Sequence, residues 1–331
     1  MAKRLFIGLA IVCVLIIGFV IFMPDMRQKL FGASIRHSLQ VGRNDQVSTV
    51  AQLLSGNEIR PLSADKNPLP SPNVNTENYD VYLDLNEAVQ SVGTEEVLMY
   101  SVTGVESEQI GTKGASDTIG NVYRLRLNPL GLPIDVTRTE GKQSHAIDDI
   151  RVTNLMGTWW PGLPNKRVRK GDSWTSRWNA PLVLEVLDGK KINLRHDIQY
   201  NLQDIKQDKN LNVAYIAYSG TVTPADWGEL PANTEIVGTG TIAGEVYVNV
   251  TTGQSLVADE RHIWSVVVRL KDQNMEVVQF ADRNSRTYRP RFLPHGDVGF
   301  NTKGEGSTSE EGLPTAEDMI KRASKPTPAS K

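Results

Sequence analysis

The chain has 331 residues, of which 39% are apolar and 22% charged, an ordinary balance for a packed globular fold. A formal net charge of -2 gives no ground for expecting nucleic acid or a strongly acidic partner. The single cysteine, Cys13, rules out a disulfide framework.

Residues 1–4 carry Lys3 and Arg4 and read as a short cytoplasmic tail. The run at 5–23 is uncharged and almost wholly aliphatic or aromatic. A bilayer core needs roughly 20 apolar residues in a helix, so this run can span it. The rival is a cleaved signal peptide, which also begins with a short basic segment. Its apolar stretch is usually ~7–15 residues and ends in small residues. Here the run ends in Phe22, Met23 and Pro24, and Cys13 follows Ile11 and Val12 without the small residue that a lipoprotein site needs. The sequence therefore predicts an uncleaved transmembrane anchor with the bilayer as its partner.

Lys3, Arg4 and the very short tail favour a cytoplasmic N-terminus, although Arg27, Lys29 and Arg36 lie on the other flank. The only thiol lies inside the apolar run, and the one glycosylation sequon, Asn249-Val250-Thr251, falls in a predicted strand. Both fit a bacterial envelope better than a eukaryotic ectodomain. The expected setting is a single-pass protein of the inner membrane with its domain on the periplasmic side.

Residues 24–78 read as a juxtamembrane helix followed by a linker. Asp45 is placed to cap a helix through Val47, Val50, Leu53 and Leu54, ended by Gly56. Pro61, Pro68, Pro70 and Pro72 then stiffen an extended spacer.

From Tyr79 the period becomes two, and residues 79–300 read as a β-rich domain. Tyr79, Val81, Leu83 and Leu85 alternate with polar or half-polar neighbours, as do Tyr123, Leu125 and Leu127. The clearest run is Ile192, Leu194, His196, Ile198, Tyr200 and Leu202 against Asn193, Arg195, Asp197, Gln199, Asn201 and Gln203. Such alternation marks antiparallel strands with one dry and one wet face. Further strands read at 211–223, 244–250, 262–270 and 275–281, with turn chemistry at 188–189 and 271–274. Residues 123–138 and 246–261 share a strand-Gly-strand pattern around Gly131 and Gly253, a candidate internal repeat. Ser144 is placed to cap a helix at 144–155 that would cover the sheet.

The densest local motif is Leu163-Pro164-Asn165-Lys166-Arg167-Val168-Arg169-Lys170-Gly171-Asp172-Ser173-Trp174. Lys170-Gly171-Asp172 supplies a turn and Trp174 a large anchor for the next strand. With the unit around Gly131, this segment resembles a group of uncharacterised bacterial envelope proteins that share an LP-x-x-x-V-x-x-GDSW-like stretch in a β-rich domain. The resemblance spans about 97–282 and implies a fold and a location, with no activity to carry over.

Candidate chemistry is sparse. His196 on a dry strand face reads as a core histidine. Asp259, Glu260 and His262 read as surface decoration, with Asp259 and His262 on opposite sides. Gly111, Gly114 and Gly120 lack the Lys-Ser/Thr that a phosphate loop needs, and no nucleophile elbow or zinc motif occurs. No catalytic residue, metal ligand or cofactor is expected. The ligand-binding candidates are Trp159 and Trp160, which would line a pocket mouth, and the basic Lys166, Arg167, Arg169 and Lys170 beside them. Residues 301–331 read as a disordered tail with a short capped helix at 316–323.

The predicted fold is mainly β: a curved antiparallel meander, as a half-barrel or open sandwich, with one or two short covering helices after the transmembrane helix. The predicted function is non-catalytic binding of a lipophilic ligand or an envelope partner. The alternatives are a scaffold subunit of an envelope complex and a hydrolase with an unrecognised site.

Overall fold

The computed structural model describes residues 32–63, 65, 67–69, 74–107, 118–142, 159–184, 187, 190–208, 211–225, 230–231 and 233–292. Among them are eleven strands: β1 (Asn44–Pro61), β2 (Val74–Ser91), β3 (Glu96–Ser107), β4 (Val122–Leu127), β5 (Pro133–Glu140), β6 (Ser173–Leu184), β7 (Lys190–Asp208), β8 (Leu211–Ala225), β9 (Thr234–Asn249), β10 (Ser255–Leu270) and β11 (Met275–Tyr288). They form one sheet in the spatial order β5-β4-β3-β2-β1-β11-β10-β9-β8-β7-β6.

The order is a meander whose first strand joins its last. β1 and β11 run antiparallel from Ser48 opposite Tyr288 to Pro61 opposite Met275. This pairing bends the sheet into a nearly closed barrel with β5 and β6 at its two edges. The longest helical segments described are three-residue 3-10 turns at Lys271–Gln273 and Pro290–Phe292. The covering helix at 144–155 lies outside the described residues. So do the anchor at 5–23, the tail at 301–331, the turn at 188–189 and glycines 111 and 114. Among the described residues no helix is long and apolar enough to cross a membrane.

The helix expected after Asp45 is instead strand β1. It sits mid-sheet between β2 and β11 and is apolar on both sides. Val47, Ala51 and Leu53 join the main core on the inner face. Leu54 packs outward with Val267, Val278 and Phe280 in a second, smaller cluster. Gly56 makes room for that cluster, since a Cβ there would lie 2.9 Å from the tip of the Phe280 ring. A strand covered on both faces loses its period of two, and Val47, Val50, Leu53 and Leu54 then imitate helical spacing. The sheet therefore begins inside the stretch read as a juxtamembrane helix and linker, well before residue 79.

Elsewhere the alternation translates directly. In β7 the even residues from Ile192 to Leu202 are all buried, while their odd neighbours are exposed or half-buried. The two strand-Gly-strand units are the β4–β5 and β9–β10 hairpins, with Gly131 at φ 76° and Gly253 at φ 69°. Both glycines face the same stretch of chain. A Cβ on Gly131 would lie 2.2 Å from His37 Nε2, and one on Gly253 would lie 2.6 Å from the Arg36 carbonyl.

That stretch, residues 32–43, runs along one end of the barrel, called here the near end. There β1, β3, β5, β6, β8 and β10 begin and β2, β4, β7, β9 and β11 finish. Ala33 exchanges hydrogen bonds of 2.8 and 2.9 Å with Val168, Ser38 N–H donates to Thr252 O at 3.0 Å, and Gly42 N–H donates to Val89 O at 3.0 Å.

Candidate functional site

The segment 159–164 turns into the near end of the barrel as a wedge. Trp159, Trp160 and Leu163 are each only 2% exposed. Every turn of the wedge is tied down. Trp160 Nε1 donates to Tyr100 Oη at 2.9 Å, and Ser255 Oγ donates to the Trp159 carbonyl at 2.8 Å. Gly162 N–H donates to Tyr200 Oη at 3.2 Å, and Leu163 N–H donates to the Leu130 carbonyl at 2.7 Å. Trp174 stacks on Tyr200 and donates its indole N–H to Gly162 O at 2.7 Å. One cavity lies on each side of the wedge, one touching Trp160, Trp178, Tyr218 and Glu260, the other Thr49, Tyr100 and Trp159. Each measures about 10 Å³, the room of a single water.

Under the wedge is a buried ionic cluster. Arg289 is 0% exposed and donates from Nη2 to Glu87 at 3.0 Å and from Nε to the Ser255 carbonyl at 2.7 Å. Its Nη1 lies 3.0 Å from Asp45 Oδ2, an ionic contact without hydrogen-bond alignment. Its guanidinium sits 5.5 Å above the Trp159 ring. Glu87 also accepts from Tyr100 Oη at 2.6 Å and from Gln254 Nε2 at 3.0 Å. Burial opposes the Arg289 charge, but Glu87, Tyr100 and Asp45 outweigh it and hold the proton more firmly than water does. Burial and then Glu87 push the Tyr100 phenol well above its usual range, so it stays a donor. Nearby, His37 Nδ1 meets Glu96 at 2.6 Å with its ring 5.1 Å from Trp160.

A second polar system lines the barrel wall on β7–β11. Glu260 accepts from Arg283 Nη2 at 2.5 Å and from Tyr218 Oη at 2.9 Å. Gly244 lets Tyr218 lie flat across the sheet, because a Cβ there would come 2.7 Å from its hydroxyl. His196 stacks on Trp178 at 4.1 Å and contacts His262, Nε2 to Nε2, at 3.2 Å. Only an Nδ1–H can donate to the Leu194 carbonyl 3.0 Å away, so His196 Nε2 is an acceptor and His262 donates. Burial lowers His196 to about 4, against the pull of that carbonyl bond. Burial, His196 and Arg283 put His262 well below its ordinary value. Both rings are therefore neutral at pH 7.

The candidates from sequence divide between two surfaces. Trp159 and Trp160 point into the barrel, where they flank the cavities. Lys166, Arg167, Arg169 and Lys170 lie exposed on the turn that follows, with buried Val168 between them holding Ala33. That turn is set by Gly171 at φ 88° and by Asp172 Oδ2, which accepts the Arg169 N–H at 2.8 Å. Of the three residues read as surface, Asp259 is half-buried on the outer face, but Glu260 and His262 face inward. The ionic clusters escaped the sequence reading. The phase of Leu83, Leu85 and Val89 already places Glu87 on the inner face, and Ala258 does the same for Glu260 and His262.

No protein-family model matches the chain, and no curated protein matches it significantly. Chemically, each described cluster pairs its own charges, and the two cavities beside the wedge each have the room of a single water. Among the described residues no three His, Cys, Asp or Glu side chains stand close enough to share a metal ion.

Proposed function

We propose that this protein is a membrane-anchored, non-catalytic envelope domain that holds a protein partner by strand addition at the seam of its barrel. One observation carries the reading. Among the described residues β5 and β6 each have a single strand neighbour, so one side of each leaves its backbone donors and acceptors outside the sheet. β5 is the better platform, since Pro133–Glu140 is exposed or half-buried throughout and Ile134 is 46% exposed. Its short length and leading proline limit self-pairing, which favours one selected partner over aggregation.

The interior supports a partner over a lipophilic ligand. The wedge occupies the near end of the barrel and the two cavities beside it hold one water each, whereas ligand sites of drug-sized molecules run to ~300 Å³ or more. The anchor at 5–23 and the periplasmic side rest on the sequence. The test places a photoreactive side chain at Ile134 or Glu140 in the full chain within intact cells. A discrete protein adduct is expected at both positions and none at Tyr247, an outer-face residue of β9. No adduct at the seam, or equal adducts at Tyr247, overturns the reading.

A further inference from the structure

The near end of the barrel is where the described chain starts, and this fixes which surface the anchor can hold near a bilayer. Ala33 is hydrogen-bonded to Val168 in the middle of the basic turn, at 2.8 and 2.9 Å. Only the eight residues 24–31 separate Gly32 from the end of the apolar run at Met23. At about 3.3 Å per residue, that length reaches roughly 26 Å at most. The chain thus ties the turn carrying Lys166, Arg167, Arg169 and Lys170 to the membrane by a short tether, and Arg27 and Lys29 lie within the tether itself.

The surface around that point suits an anionic lipid layer. Lys166 and Arg167 are exposed, and the Lys170 side chain is 72% exposed. Four of the described acids at the same end are already engaged. Asp172 accepts the Arg169 N–H, Asp204 lies 3.6 Å from both Lys170 and Lys206, Glu95 pairs with Arg126 at 2.6 Å, and Asp45 with Arg289 at 3.0 Å. Three bare aliphatic side chains share the end: Val41 before β1, Val92 after β2 and Ile134 at the start of β5, exposed by 60%, 44% and 46%. Basic side chains interleaved with exposed aliphatics attract anionic headgroups by charge and insert shallowly into the interface.

We propose that the near end is a membrane-docking face, with Lys166, Arg167 and Lys170 seated on anionic headgroups of the bilayer that holds the anchor. The proposal rests on reading 5–23 as that anchor. Docking also fixes the barrel's orientation, holding β5 beside the bilayer with Ile134 at the lipid boundary. Any partner at the seam then approaches from within or just above the membrane plane.

The test uses the full chain with Cys13→Ser, reconstituted into vesicles of phosphatidylcholine alone or with about a third phosphatidylglycerol. An environment-sensitive dye is placed by Val41→Cys at the near end or by Ile59→Cys at the far end, and spin-labelled headgroups serve as quencher. In the anionic vesicles the Val41 dye should be quenched several-fold more than the Ile59 dye. The triple change Lys166→Gln, Arg167→Gln, Lys170→Gln, or molar salt, should bring it to the Ile59 level. Equal quenching at the two sites, or quenching at Val41 unmoved by lipid charge and by the triple change, overturns the docking face. Alkaline extraction of the same vesicles reads the anchor separately, since a chain released there lacks one. The quenching contrast decides the docking face in either case.

Discussion

The pairing of Arg289 with Glu87 at the near end yields a sharp energetic expectation. Both side chains are essentially unexposed, at 0% and 1%, and each is the other's main charge partner. Arg289→Met leaves Glu87 buried with only the Tyr100 and Gln254 donors, and removing one member of a buried pair costs about 3–5 kcal/mol. Glu87→Gln keeps an acceptor for Tyr100 but leaves Arg289 with Asp45 as its one described anionic partner beside the Ser255 carbonyl, a loss of about 2–4 kcal/mol. In the double variant neither charge is stranded, so the total should fall near the larger single cost and well short of the sum. The coupling energy should be at least about 1.5 kcal/mol. Urea unfolding of the full chain in detergent micelles measures all four proteins, with Trp159, 5.5 Å from the guanidinium, as the reporter. Costs that add to within about 0.5 kcal/mol would show that the two charges do not depend on each other, and the account of the cluster would fail.

Two further expectations concern the barrel wall and its hairpins. The unfolded His196 titrates near 6.5 and the folded one at about 4, so between those values the unfolded chain binds the extra proton and stability falls as pH drops. This one group should remove about 3 kcal/mol by pH 4, and His196→Phe, which keeps the stack on Trp178, should flatten the urea-midpoint profile through that window; an unchanged slope counts against the buried neutral ring. Gly253→Ala meets both a positive φ and the Arg36 carbonyl at 2.6 Å, whereas Gly42→Ala meets a positive φ with open space around it. The second should cost about 1 kcal/mol and the first clearly more, and equal thermal shifts would mean that the hairpin does not grip residues 36–37.

Much of the sheet was legible in the sequence because strands with one wet face keep their period of two. The even residues of β7 from Ile192 to Leu202 show it, as do the paired glycine turns at Gly131 and Gly253. β1 was not legible, because a strand with apolar residues on both faces carries no alternation, and the side chains that pack on outward Leu54, among them Val278 and Phe280, lie far along the chain. The two tryptophans and the basic turn were visible as an apolar stretch beside a charged one. Only the fold separated them, turning Trp159 and Trp160 inward and the turn outward about the buried Val168.

The sequence by itself determined composition-level facts and local ones: the mainly β character, the phase of each wet-faced strand, the turns that need glycine and the apolar run before the domain. These depend on residues within a few positions of one another. Tertiary structure decided the closure of β1 on β11, the wedge of 159–164 and the partners of buried charge, such as Glu87 with Arg289 across 202 positions of chain. A lone glutamate on a dry face says that it needs a partner, but the identity of that partner is fixed only when the strands are wrapped and every buried charge must be answered by whatever the opposite wall supplies.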